Sequence, residues 1–171
     1  MSEDLILSAN ADKETRYHEI IPQLKALIEG ETDMTANLAN VSAVLKEAFG
    51  WWWVGFYLVK GEQLVLGPFQ GPVACTRIAF GKGVCGTAWK KKKSILVPDV
   101  EQFAGHIACS SASVAEIVIP LINNQNEVIG VLDIDSEKYD ILDETDVKWL
   151  EEIVRIVAPK SPEGGLCLSY D

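Results

Sequence analysis

The sequence predicts an α+β domain: one antiparallel sheet, helices packed mainly on one face, and loops enclosing a pocket on the other. Three observations carry that expectation. Two amphipathic segments open the chain and a third closes it, each with apolar residues at helical spacing. Between them run short segments rich in β-branched and aromatic residues, cut by Gly, Pro and Asn turns. Two of these, "EIVIPLI" and "EVIGVLDID", flank "NNQN", which marks a hairpin.

The elements follow in order. Tyr17, Ile20, Ile21, Leu24, Leu27 and Ile28 form one apolar stripe that ends near Gly30. Pro22 lies inside it and predicts a kink or a late start. Leu38, Val41, Leu45 and Ala48 make a second helix, with Gly50 placed to cap it. "WWVGFYLV" and "QLVLGPF" read as strands joined by a turn at Lys60-Gly61-Glu62, and "TRIAF" as a third strand. "GKGVCGTAW" is a glycine-rich turn entering a short helix that ends in the solvated run Lys90 to Lys93. It lacks the Gly-Lys-Ser/Thr ending of a phosphate-binding P-loop. "SILVP" is a strand stopped by Pro98, and residues 99–115 read as a long loop of the kind that often carries function. Asp143 can cap a last helix carrying Val147, Leu150, Ile153, Val154 and Val157. Residues 1–158 are thus expected to form one domain, followed by a loosely held tail, 159–171.

Composition narrows the function. A chain of 171 residues suits one domain, and 48% apolar residues suffice for a core. A formal charge of −10 repels phosphate backbones, so nucleic acid is not an expected partner. The N-terminus has no basic segment leading into an apolar one, and no apolar run approaches membrane-spanning length. A cytoplasmic location is expected, where the four cysteines are reactive thiols rather than a permanent disulfide frame.

The hairpin makes a geometric statement. Centring its turn on Asn124 and Gln125 sets Val118 opposite Val131 and Glu116 opposite Asp133. Side chains alternate along a strand, so Asp133 and Asp135 share a face, and Glu116 joins them there beyond Val131 and Ile129. Three acids gathered at one end of a sheet face repel one another unless a proton, a cation or a ligand intervenes. If they are buried, at least one should stay protonated near neutrality and serve as a proton donor.

The loop beside them holds Cys109, with His106 three residues before it. Cys75 follows a Gly-Pro turn, and Cys85 lies among glycines at a helix start, where backbone N–H groups would favour a thiolate. Cys75, Cys85, His106 and Cys109 could together hold zinc in an interaction module, but no pair has the usual close spacing, and no metal is expected. His106 by itself reads as a structural hydrogen-bonding residue.

"WVGFYLV", "GPFQGPVACTRIAFGKGVCGTAW", "VPDV", "FAGHIAC", "AEIVIPL" and "GVLDIDS" together resemble the free methionine-(R)-sulfoxide reductases, which are stand-alone GAF-domain enzymes. The resemblance spans roughly residues 12–158. It implies a GAF-like fold and the reduction of free L-methionine-(R)-sulfoxide. It implies Cys109 as nucleophile, Cys75 as resolving cysteine and Cys85 as an auxiliary thiol. It also implies Trp53 as the wall against the substrate's methyl end, and Glu116, Asp133 and Asp135 as the acids that bind substrate and activate its oxygen. No bound cofactor is implied; electrons would come from NADPH through thioredoxin, to a homodimeric enzyme. Ser110 and Val114 depart from the residues usual in that family. A non-catalytic GAF sensor of a small molecule or of redox state is the alternative of another class.

Overall fold

The computed structural model describes residues 4–107 and 112–158. Cys109, Ser110, Cys167 and the expected tail lie outside the described residues. The chain runs α1 (Lys13–Ile28), α2 (Met34–Phe49), β1 (Trp53–Lys60), β2 (Gln63–Gln70), β3 (Arg77–Ala79) and α3 (Gly83–Lys91). It continues through β4 (Ile95–Val97), a 3-10 turn (Val100–Gln102), β5 (Ala115–Ile122), β6 (Val128–Ser136) and α4 (Glu144–Val157).

Asp143 and Gly50 cap α4 and α2 as expected, and Asp12 and Asp33 add caps beyond those expected. Asp12, Asp33 and Asp143 accept from backbone N–H groups at the starts of α1, α2 and α4, and Asp143 with Asp146 completes a capping box. Gly50 ends α2 with φ 66°, a left-handed cap open to glycine. Pro22 neither delays nor ends α1, which runs unbroken from Lys13 to Ile28. It sits on the exposed side of the helix, where water can satisfy the carbonyl that loses its N–H partner.

The strands form one antiparallel sheet in the order β3-β2-β1-β6-β5-β4. One face carries Val54, Phe56, Ile117, Ile119, Leu132 and Ile134 and is covered by α1, α2 and α4. Lys13 Nζ reaches Asp146 at 2.6 Å and Asp143 at 2.7 Å, and the Tyr17 hydroxyl donates to Asp146 at 2.9 Å. Asp146 is fully buried, so these bonds tie α1 to α4 through a charge that has no access to water. The other face carries Trp53, Tyr57, Val118, Val128 and Val131 and packs against α3 through Val84, Cys85 and Ala88.

The β5–β6 register differs from the expected one by two residues. Glu116 lies opposite Asp135, and Val118 opposite Asp133. The loop is longer than a two-residue turn: Asn126 N–H bonds Asn123 O, Asn123 N–H bonds Glu127 O, and Asn126 takes φ 61°. An irregularity between Leu121 and Ile122 also puts Val128, rather than Ile129, on the face with Val131. A shift of two preserves alternation, so the three acids still share the α3 side of the sheet. No helix among the described residues is long and apolar enough to cross a membrane.

Candidate functional site

The site lies where the ends of β1, β6 and β5 meet under α3. Trp53 pairs with Asp135, Gly55 with Asp133, and Glu116 with both Asp135 and Val97. Four adjacent strands thereby line up Trp53, Asp135, Glu116 and Val97 in one row across the sheet. Next to it stands Gly55, whose lack of a side chain decides the packing: a Cβ there would come within 2.6 Å of the Trp53 ring. Gly71 does the same from above, since its Cβ would lie 2.7 Å from Trp53 Cδ1. Trp53 is held by stacking on Phe69 at 5.4 Å and by its indole N–H, which donates to Pro72 O at 3.0 Å. A pocket opens beside it, lined by Trp53, Tyr57, Cys85, His106, Ser113 and the three acids.

Glu116 and Asp133 are each 6% exposed. Burial pushes the Glu116 carboxyl well above the usual carboxylate range, and the charge of Asp135 pushes it further. Asp133 is raised strongly too, by burial first and then by the charges of Asp135 and Glu116. Asp135 is raised by burial, against which the Ser113 hydroxyl, donating to its Oδ1 at 2.5 Å, and the nearby His106 pull down. His106 Nε2 sits 3.5 Å from Glu116 Oε2, within ion-pair distance. Cys85 Sγ lies 3.9 Å from Glu116 Oε1. Among the described residues, Asp133 Oδ1 meets no hydrogen-bond donor. Such a trio is tolerable only with protons aboard, and a protonated carboxyl facing a wet pocket is a proton donor.

Cys85 corrects one expectation. Its place at the start of α3 does not make it a thiolate. The thiol is buried, and burial together with the Asp133 and Glu116 charges pushes it well above its usual range. The helix N-terminus is outweighed because the same turn that offers N–H groups faces the acids of β5 and β6. Cys75 lies in the loop before β3 and is disulfide-bonded, whereas Cys85 is free. The nucleophile expected from the resemblance, Cys109, lies outside the described residues.

Two participants were missed in the sequence. Tyr57 donates its hydroxyl to Cys75 O at 2.9 Å, which fixes the Cys75 loop to the sheet. It lies four residues after Trp53 on one strand, so alternation alone could have placed both on the pocket face. Ser113 gave no signal, because its bond to Asp135 depends on the register of β5 and β6.

The model of the GAF domain family matches residues 31–159. The free methionine-R-sulfoxide reductase of Escherichia coli is 47% identical over 139 residues, covering 81% of this chain and 84% of the relative. The crystal structure of a Neisseria meningitidis free methionine-R-sulfoxide reductase, in complex with its substrate, superposes with a TM-score of 0.88 at 53% identity. It covers 92% of this chain and 94% of that one. This chain belongs to the free methionine-(R)-sulfoxide reductase family of GAF domains. A Dictyostelium discoideum relative, GAF domain-containing protein A, is 56% identical over 158 residues, 92% of this chain and 99% of its own. Membership in the reductase family agrees with the six-stranded antiparallel sheet and with helices mainly on one face.

Proposed function

We propose that this protein reduces free L-methionine-(R)-sulfoxide to methionine by thiol chemistry. The observation that carries the proposal is the trio Glu116, Asp133 and Asp135, buried together in a pocket walled by Trp53 and held above the ordinary carboxylate range. Sulfoxide reduction needs a nucleophile at sulfur and a proton at oxygen. The Cys109 thiolate attacks the sulfur while the Glu116–Asp133 pair supplies the proton. The substrate S–O bond and the transient bond from Cys109 Sγ to the substrate sulfur break as a Cys109 Sγ–O bond forms; the electron pair stays on the substrate sulfur, so methionine leaves and Cys109 carries the hydroxyl as a sulfenic acid. The Cys75 thiol condenses with it, forming the disulfide and releasing water. That Cys75 is disulfide-bonded and Cys85 a buried free thiol supports Cys75 as the resolving residue. A thioredoxin-type dithiol, re-reduced from NADPH, restores both thiols by exchange. Cys85 is an auxiliary thiol beside the acids.

Asp135, the least perturbed of the three, holds the ammonium group of the free amino acid, and Trp53 packs on the methyl end. A peptide-bound sulfoxide lacks that ammonium and would leave the buried acids unpaired, which is a strong basis for rejection. The reductase is expected to act in the cytoplasm as a homodimer, as the family resemblance implies.

The test supplies R and S epimers of free methionine sulfoxide, and a peptide-bound form, with thioredoxin, its reductase and NADPH. NADPH oxidation with the free R epimer alone is expected; turnover of the peptide form would refute the substrate assignment. Cys109→Ser should abolish turnover, whereas Cys75→Ser should still yield one methionine per chain. Turnover at the normal rate by Cys109→Ser would refute the thiol assignment.

A further inference from the structure

The floor of the pocket has a second chemical reading that the reduction of a sulfoxide does not use. One ligand atom each from Cys85, Glu116 and Asp133 lies within 4.8 Å of the other two, and all three residues are buried. A thiol sulfur with two carboxylate oxygens is a mixed donor set that suits a borderline-soft divalent ion. The spacing is close to what such an ion needs. Zinc bonds of about 2.3 Å to sulfur and 2.0 Å to oxygen, at a tetrahedral angle, put the two donors about 3.5 Å apart. Cys85 Sγ and Glu116 Oε1 stand at 3.9 Å, so a small rotamer adjustment closes the gap. The independent sign of an absent partner is Asp133: the residue is 6% exposed, yet its Oδ1 has no hydrogen-bond donor among the described residues. A buried carboxylate oxygen without a donor, in a residue set beside a thiol and a second carboxylate, is what a cation would satisfy.

We propose that Cys85, Glu116 and Asp133 form a zinc(II) site on the pocket floor, with the fourth position open toward the pocket. His106 stays outside the group and keeps its contact with Glu116 at 3.5 Å. Binding displaces the protons of the thiol and the carboxyls, and two positive charges offset the three negative ones that result. This set differs from the cysteine-rich set the sequence suggests, since Cys75 is engaged in a disulfide and Cys85 is free. A second consequence rests on the reductase reading. An ion on Glu116 and Asp133 occupies the acids that would protonate the sulfoxide, so zinc and substrate exclude each other, and zinc reversibly inhibits the enzyme.

Cobalt(II) tests the site without turnover, because cobalt bound to a thiolate shows a charge-transfer band that zinc lacks. Titration of the full chain with cobalt should raise that band to one equivalent, and zinc should abolish it. Cys109→Ser and Cys75→Ser should keep the band; Cys85→Ser and Asp133→Asn should lose it, with their folding checked by circular dichroism. Persistence of the band in Cys85→Ser, or its loss in Cys109→Ser, would overturn the ligand set. Free methionine sulfoxide should raise the cobalt concentration needed for half-saturation at least tenfold. If the band forms but sulfoxide leaves it unmoved, mutual exclusion is overturned while the metal site stands.

Discussion

Replacing Asp133 by Asn gives the sharpest test of the buried acids, because the expected effect is a slope. Asp133 and Glu116 both bind protons more tightly in the folded chain than an exposed carboxyl does. A carboxyl with a raised folded pKa costs nothing below its unfolded value, where both states are protonated. As pH rises above that value, the unfolded state loses its proton first and becomes relatively favoured. Stability therefore falls with rising pH, by about 1.4 kcal/mol per pH unit for each proton the folded state retains. The decline starts near the ordinary aspartate value of 3.8 and continues up to the folded pKa of Asp133. Asn cannot ionise, so Asp133→Asn removes one such proton and flattens the slope by up to that amount. For a domain of this size, 1 kcal/mol moves Tm by about 2–4 °C, so the two Tm curves should diverge by roughly 3–6 °C per pH unit. Calorimetry of metal-free wild type and variant from pH 4.5 to 8 reads it directly. Parallel curves, or a variant that loses ground to wild type as pH rises, would refute the assignment of these carboxyls as buried proton carriers.

Three further outcomes follow from the same geometry. Trp53→Ala should cost about 3–5 kcal/mol in denaturant unfolding, because it empties the space between Phe69 and Gly71. It should also raise KM for the sulfoxide more than it lowers kcat. Ser113→Ala removes the hydroxyl that lowers the Asp135 pKa, so the Asp135 carboxyl titration, followed by NMR, should move to higher pH. Lys13→Met leaves the buried Asp146 carboxylate with only the Tyr17 hydroxyl and its capping bond, which should destabilise the fold by about 1–3 kcal/mol near neutral pH. The catalytic rate of that variant at 20 °C should remain near wild type.

The parts of the fold written in local residues were legible. Asp143 before an apolar stripe and Gly50 after one fixed helix ends, because caps act within one turn. The common face of Glu116, Asp133 and Asp135 was legible because alternation needs only strand identity. Their exact partners were not, since register depends on the turn, and Asn126 in the left-handed region lengthens it beyond what "NNQN" indicates. The protonation state of Cys85 was illegible for a related reason. Its helix start is local, but the carboxyls that overrule it arrive from strands more than thirty residues away, as the Cys85–Glu116 separation of 31 shows. Tyr57 went unnoticed although its strand position was in plain view; its bond to the Cys75 carbonyl requires the loop to fold back over β1.

The short β5–β6 connection has a consequence for how the molecule forms. All three acids come from one hairpin, whose closure spans few residues and so requires little loop entropy. Trp53 on β1 and Cys85 on α3 must come from much farther along the chain to roof it. The carboxyls are therefore expected to meet while still hydrated, and to lose their water only when β1 and α3 dock. The energetic cost of assembling them then falls late in folding, as a pH-sensitive barrier to final closure rather than as a defect in the hairpin.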